Sequence, residues 1–155
     1  MNSQQILATQ IPNTSKGGIM ALALKTAERL IQATQARAQE LNIKISTAVV
    51  DSGGFLISLS RMDGAGPMTA SIATSKAYTA AVMRRASSEF IQMAEQRPQF
   101  FAAVSRMGHV PLIPGLGGVL VREGGEIVGG IGVSGAAPEQ DLDCAQAALN
   151  AVGVP

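Results

Sequence analysis

Apolar residues recur at spacings of three and four over residues 16–41, and this spacing is typical of an amphipathic helix. Ser15 is placed to cap that helix, and Asn42 is placed to end it. The period then changes: residues 44–50 are rich in β-branched side chains, a turn with two glycines follows, and residues 55–61 alternate apolar side chains with serines. The first half of the chain therefore predicts a helix followed by a β-hairpin whose second strand has one face on a core.

The second half of the chain predicts further helices and another hairpin. Alanines at helical spacing indicate a helix whose small side chains let it lie close against a sheet. After it, Ser87 or Ser88 is expected to cap one or two short helices, and Pro98 to interrupt them. A Glu-Gly-Gly turn joins two strand-like runs, and a proline opens the last helix. The predicted bounds are 68–83 for the alanine-rich helix, 87–114 for the short helices and their loop, 118–122 and 126–134 for the strands, and Pro138 to near Gly153 for the last helix.

The order of these elements predicts the fold class. Each hairpin is antiparallel internally, so the simplest assembly is one antiparallel sheet with helices packed on it, and not an alternating parallel sheet. This is an α/β fold of the α+β type. The 155 residues fit a single domain spanning 1–155.

Composition narrows the classes of partner. Apolar residues make up 46% of the chain and charged residues only 15%, and this excess predicts that apolar surface is covered in a homo-oligomer. A net charge of +1 with scattered basic residues gives no basic surface for nucleic acid.

The start of the chain lacks the pattern of a secretory or anchoring segment, and charges interrupt the most apolar stretch, 119–133. We therefore expect no membrane contact and a cytoplasmic location. One cysteine and one histidine exclude an intramolecular disulfide and a zinc site built from them alone. Nucleotide cofactors and classical hydrolysis are not expected, since no phosphate-binding loop or nucleophile motif is present.

Lys76 is the first candidate for chemistry. It shares a helix face with Ile72 and Thr79, so packing of this face on the sheet would bury the ammonium group. A buried ammonium group needs a carboxylate, for which Asp51 and Asp63 are the candidates. Two interpretations stay open: a structural ion pair between helix and hairpin, or a ligand-binding or catalytic lysine whose pKa burial lowers.

Three further groups of residues are candidates for binding. Arg61 and Asp63 follow the second strand, where the guanidinium can grip a carboxylate with two hydrogen bonds or the two residues can pin the turn. Gly130 and Gly132 open the fourth strand to close approach by a ligand, by the alanine-rich helix or by a partner subunit. Glu139, in the first turn of the last helix, is a candidate general base.

Five short segments form an ordered pattern along the chain: VVDSGG at 49–54, SRMDGA at 60–65, SKAYTA at 75–80, GGIGVSG at 129–135 and PEQD at 138–141. They resemble the successive motifs of the GlcG/HbpS-type haem-degrading family, and also the C-terminal domain of PduO-type proteins. The resemblance implies a profilin-like antiparallel sheet with helices packed on it. It also implies assembly into octamers or other even oligomers, and roles in binding haem or in handling small oxygenated acids and corrinoids.

Two positions depart from the pattern of this family. Phe55 stands where many relatives carry a histidine, and Leu120 replaces a common proline. Any haem binding is therefore expected to be weak or to use an iron ligand other than that histidine. The only histidine, His109, lies in a loop near Phe100 and Phe101, and is either an ordinary surface residue or the alternative iron ligand.

Three functions follow as alternatives. The resemblance implies binding of haem or a related tetrapyrrole, coupled to its degradation. The second is a small isomerase, lyase or tautomerase that binds a carboxylate ligand at Arg61 and moves a proton through Lys76 or an acid. The third is a non-catalytic sensory or structural oligomer. The candidate catalytic residues are Lys76, Asp51 and Glu139, and the candidate ligand contacts are Arg61, Asp63, Thr79, Phe55, Gly130, Gly132 and His109.

Overall fold

The structure, a computed structural model, describes residues 21–154 of the chain. Helices and strands follow one another within this range in the predicted order, and a short 3₁₀ helix, Ser87–Phe90, precedes the third α-helix. The elements are α1 (Leu24–Glu40), β1 (Ser46–Asp51), β2 (Leu56–Arg61), α2 (Thr69–Met83), α3 (Ile91–Gln96), α4 (Pro98–Ser105), β3 (Gly118–Glu123), β4 (Glu126–Ser134) and α5 (Pro138–Val152).

The four strands form one antiparallel sheet in the order β2, β1, β4, β3. Both predicted hairpins are present, and they join where β1 pairs with β4, from Ser46 opposite Ser134 to Asp51 opposite Gly129. β1 is buried over almost its whole length because helices cover both of its faces. The α+β prediction of an antiparallel sheet with helices packed on it is confirmed.

The two faces of the sheet carry side chains of different size. α1 and α5 cover one face and enclose the larger apolar residues, among them Leu30, Ile131 and Val133. Arg37 of α1 also forms an ion pair with Asp143 of α5 at 2.8 Å. α2 covers the opposite face above β4 and β1. Its buried contact layer is made of small residues: Ala48, Val50, Ala73, Ala77 and Ala81.

The paired glycines of β4 are explained by α2. A Cβ atom placed on Gly130 would lie 2.5 Å from the carbonyl oxygen of Ala77, and one placed on Gly132 would overlap the carbonyl of Ala73. Of the three partners considered for these glycines, the alanine-rich helix is therefore the one that approaches. Its backbone fills the space above both residues, which corrects the expectation that Gly130 and Gly132 contact a ligand.

The first helix begins later than its sequence pattern predicts. Residues 16–20 and the expected cap Ser15 lie outside the described residues, but residues 21–23 are described and are not helical. Leu22 is 5% exposed and packs into the core, near Gly129. The burial of Leu22 accounts for the extended backbone that leads into α1, where the sequence pattern predicts a turn of helix. No helix within residues 21–154 is long and apolar enough to cross a bilayer.

The second strand departs from simple alternation. The pairing of β1 with β2 shifts between Val49 and Val50, so that Ile57 is an extra residue in β2. Ile57 packs against the core under α1, whereas Leu59, opposite Ala48, is 41% exposed. The expectation that the alternating apolar residues of 55–61 share one core face is therefore wrong, because a one-residue bulge reverses the side on which side chains lie.

The serine predicted to cap the short helices has another role. Ala86 precedes the 3₁₀ helix, and its N–H donates to the Glu89 side chain. The buried Ser87 hydroxyl donates to the Gly115 carbonyl at 2.6 Å and accepts the N–H of Gly118 at 3.0 Å. Ser87 thus fixes the start of β3 and does not cap the helix. Pro98 separates α3 from α4, as predicted.

Candidate functional site

Lys76 lies inside the protein and is paired with an acid from the far end of the chain. Its Nζ atom donates to the Oδ2 atom of Asp141 at 3.0 Å and to the carbonyl oxygen of Val133 at 2.9 Å. Lys76 is 8% exposed and Asp141 is 3% exposed. The second carboxylate oxygen of Asp141 accepts the N–H of Ala136. The pair therefore ties α2, the end of β4 and the first turn of α5 together.

This geometry corrects the predicted partner of Lys76. Neither Asp51 nor Asp63 forms an ion pair with it, and the carboxylate comes from α5. Burial raises the pKa of Asp141 above its usual value, while the Lys76 ammonium group and backbone N–H donors oppose part of that rise. The Lys76 ammonium group and the Asp141 carboxylate form hydrogen bonds with each other and with backbone groups of the protein. This arrangement suits a structural ion pair.

Asp51 shapes the turn of the first hairpin. Its Oδ1 atom accepts the N–H groups of Gly53 and Phe55, at 2.9 and 3.0 Å. Short acidic side chains commonly stabilise turns in this manner. Gly54 has a φ of 83°, and a Cβ atom there would overlap the ring of Tyr78. The turn therefore lies directly on α2 and directs Phe55 outwards, where it is 61% exposed.

Three rings from separate parts of the chain meet at this turn. The His109 ring stacks on Phe55 with 4.6 Å between centroids and an angle of 9° between planes. Its edge meets Tyr78 of α2, with centroids 4.8 Å apart and planes at 78°. Tyr78 is buried, whereas Phe55 and His109 are exposed. We refer to Phe55, Tyr78 and His109 as the aromatic cluster.

The His109 ring has a defined orientation. Its Nε2 atom lies 3.3 Å from the carbonyl oxygen of Gly54. Because a carbonyl oxygen only accepts hydrogen bonds, the neutral ring in this contact carries its proton on Nε2 and its free lone pair on Nδ1. A ring held by one nitrogen in this way can offer the other nitrogen to a metal ion.

The loop that carries His109 is anchored at its far side. The Thr79 hydroxyl accepts the N–H of Ile113 at 2.9 Å and donates to the Ser75 carbonyl at 2.7 Å. Ser105 and Leu112 also bond to each other across the loop. Thr79, predicted to contact a ligand, is fully buried, and its hydrogen bonds hold the loop of His109 against α2.

Arg61 and Asp63 lie elsewhere, at the other end of β2. Arg61 donates from Nη1 to the carbonyl oxygen of Ala65 at 2.9 Å and forms no ion pair with Asp63. Both residues line an open pocket of about 360 Å³. Glu139 is exposed at the start of α5. The predicted site residues therefore fall into separate groups, and Lys76 is not among the residues that line the Arg61 pocket.

Sequence reasoning missed two residues that organise these groups. Asp141 stands out in the sequence only as the last residue of the PEQD segment, and nothing in its spacing from Lys76 indicates a pair across 65 positions. Tyr78 carried one available signal, since it is the only tyrosine in the chain and lies within the SKAYTA segment.

Comparison with known proteins places this chain among relatives of the same fold. A family model described as "Haem degrading protein HbpS-like" matches residues 22–150. Protein GlcG of Escherichia coli K12 is 40% identical over 114 residues, which cover 73% of this chain and 81% of GlcG. The corrinoid adenosyltransferase PduO of Salmonella typhimurium is 29% identical over 154 residues, or 99% of this chain. The match covers only 46% of PduO, so the chain spans about half the length of that relative.

A solved structure supports the same grouping. The structure of a PduOC–haem complex superposes with a TM-score of 0.78 and 30% sequence identity, and the match covers 88% of this chain and 98% of PduOC. The family model spans most of the described residues, and the TM-score shows a fold shared over most of that length. The chain therefore belongs to the HbpS-like family of haem-degrading proteins.

Proposed function

We propose that this protein binds haem or a related tetrapyrrole at the aromatic cluster, with His109 as the iron ligand. The observation that carries this proposal is the stacking of the His109 ring on Phe55. The family resemblance implies a histidine at the position of Phe55, and in this chain the imidazole beside the same hairpin turn is that of His109. It comes from a different loop of the chain.

The side chains around His109 suit such a ligand. The contact between Nε2 and the Gly54 carbonyl leaves Nδ1 with a lone pair for iron. Phe55, Leu56 and Met107 are 61%, 52% and 82% exposed, and they offer apolar contact to the flat faces of a tetrapyrrole. The bound iron would supply ligand-exchange and redox chemistry, while these residues hold and orient the group. Family membership and the haem complex of PduOC support the same ligand class.

Titration with haemin tests this assignment. The wild-type protein is expected to give a saturable change in the Soret band, and the variant His109→Ala is expected to lose it. Phe55→His in the His109→Ala background should recover the band, because it restores a nitrogen donor beside the same turn. A spectrum that is unchanged in His109→Ala would contradict His109 as the ligand.

Phe100→Ala is a matched control, since this ring is 46% exposed but belongs to α4 and not to the aromatic cluster. Its titration should match that of the wild type. Haem breakdown, the more specific activity of the family, is tested by time-dependent loss of the Soret band of the complex after a reductant is added in air.

The alternative of a proton-transfer enzyme needs, in one site with Arg61, either an acid, for which Asp63 lines the Arg61 pocket, or Lys76. The Lys76 ammonium group is instead bonded to Asp141 and Val133, and the Arg61 pocket is lined by other residues. No observation favours that reaction over tetrapyrrole binding.

We also propose that the chain forms a homo-oligomer, and an even number of subunits is the form that the family resemblance implies. Exposed apolar side chains support association, because a monomer gains nothing from leaving them in water. Within residues 21–154, the large apolar side chains exposed by more than a third are Leu24, Phe55, Leu56, Leu59, Met68, Ile91, Phe100 and Met107.

A further inference from the structure

The open pocket at the end of β2 is built from polar side chains of three elements. α1 contributes Gln35 and Gln39, the segment before β1 contributes Lys44, and β2 with the turn after it contributes Ser60, Arg61 and Asp63. Its volume of about 360 Å³ lies within the range of small-molecule sites.

Two cations in this pocket have no acidic partner. Within residues 21–154, neither Lys44 nor Arg61 lies within ion-pair distance of a carboxylate. The turn after β2 lies beside both of them: the stem of Lys44 is 3.7 Å from the place where a Cβ of Gly64 would be, and Arg61 donates from Nη1 to the carbonyl oxygen of Ala65. That bond leaves the Nε and Nη2 edge of the guanidinium free for a two-pronged contact.

Neutral polar groups extend the recognition surface. The Gln35 amide donates from Nε2 to the Ser60 hydroxyl oxygen at 2.7 Å. Because that oxygen already accepts a hydrogen bond, the Ser60 hydroxyl hydrogen can be donated to a ligand. The charged groups Lys44, Arg61 and Asp63 sum to one positive charge, which favours an anion.

We propose that this pocket binds a small dicarboxylate anion, with one carboxylate on the free edge of Arg61 and the other near Lys44 and Ser60. Asp63, at the same pocket, weakens binding by repulsion and limits affinity. Because the pocket is open to water, the dissociation constant is expected to be in about the millimolar range.

This site is separate from the aromatic cluster. Phe55 immediately precedes β2 and Arg61 ends it, so most of the strand, which rises about 3.3 Å per residue, lies between the two sites. Anion binding at this pocket does not require tetrapyrrole binding at the aromatic cluster.

Thermal unfolding titrations with malonate, at ionic strength matched with sodium chloride, test the proposal. The wild type should show a saturable rise in Tm. Arg61→Gln should weaken the apparent affinity by about 10-fold, the effect of one lost charge-assisted contact. Asp63→Asn should strengthen it by a few fold, because it removes the repelling charge. Arg29→Gln, which changes an exposed arginine of α1 outside the pocket, should match the wild type.

Several results would overturn this site. A rise in Tm that does not saturate and is equal in all four proteins would be a general salt effect. A saturable rise that is unchanged in Arg61→Gln would place malonate elsewhere. Phosphate that matches malonate at equal ionic strength would contradict the dicarboxylate and indicate a general anion site. Loss of the haemin Soret band in Arg61→Gln would show that Arg61 belongs to the tetrapyrrole site.

Discussion

At the scale of single residues, the structure places one ion pair where little water can reach it. Lys76 and Asp141 are each less than a tenth exposed. The Nζ atom of Lys76 and both carboxylate oxygens of Asp141 form hydrogen bonds with protein atoms. A buried charge without its partner destabilises the folded state. Removing one residue of the pair is therefore expected to lower the free energy of unfolding more than removing both.

Lys76→Met should therefore lower the free energy of unfolding by about 3 to 5 kcal/mol, because it leaves the Asp141 carboxylate buried without its cation. Urea denaturation, followed by circular dichroism, measures the change. The double variant Lys76→Met/Asp141→Asn should recover part of the loss, since asparagine still accepts the N–H of Ala136 and carries no charge.

Lys25→Met changes an exposed lysine of α1 and serves as the control for the loss of an ammonium group. It is expected to be within about 0.5 kcal/mol of the wild type. Equal stability of Lys76→Met and the wild type would mean that Lys76 is not a structural partner of Asp141.

Cys144 gives a second prediction at this scale. The thiol is fully buried on α5, and burial raises its pKa from the usual 9.0 to about 11. This corresponds to roughly 100-fold less thiolate at neutral pH, and only the thiolate reacts readily. Alkylation by iodoacetamide, followed by mass spectrometry, should be slow in the folded protein and fast in urea. Fast alkylation of the folded protein would contradict the buried position.

At the scale of elements, the contact between α2 and the sheet is unusually close. Alanines on the helix face glycines on β4, and the helix carbonyls lie where side chains of the strand would otherwise be. This contact sets the position of Tyr78 and Thr79, and through them the turn of Gly54 and the loop of His109. The geometry of the aromatic cluster therefore depends on small residues that never reach the surface.

Gly132→Ala should displace α2 from β4 and lower the free energy of unfolding by about 1 to 3 kcal/mol, the usual cost of overpacking. Urea midpoints measure the effect. Gly66→Ala is the matched control, because a Cβ there meets only the Thr69 methyl group at an ordinary 3.5 Å. Equal stability of Gly132→Ala and Gly66→Ala would contradict the close packing of α2 against β4.

At the scale of the whole molecule, edge strand β2 and its neighbourhood carry much of the exposed apolar surface. Phe55, Leu56 and Leu59 are each more than 40% exposed, and no strand among residues 21–154 pairs with the outer edge of β2. Such edges favour association unless something covers them. Light scattering at micromolar concentration is expected to give an assembly of at least two chains, and a monodisperse 15.9 kDa species would contradict it.

The order and type of the elements follow from the sequence pattern, because period-two and period-3.6 patterns are local properties of the chain. Both hairpins, the alanine-rich helix and the end of α1 at Asn42, which has a φ of 54°, follow from these patterns and from turn residues. The antiparallel sheet followed from the two hairpins, since short turns permit no other internal pairing. The ordered motifs also identified the family.

Which distant residues contact each other depends on long-range packing that local patterns do not encode. The partner of Lys76 lies 65 positions away, so local spacing could not distinguish Asp141 from Asp51 or Asp63. The bulge at Ile57 places Leu59 on the exposed face. One extra residue in the strand pairing causes this change, and the alternation of apolar residues and serines gives no indication of it. His109 and Phe55 are 54 positions apart, and they stack because Gly54 and Tyr78 bring a turn and a loop onto the same helix.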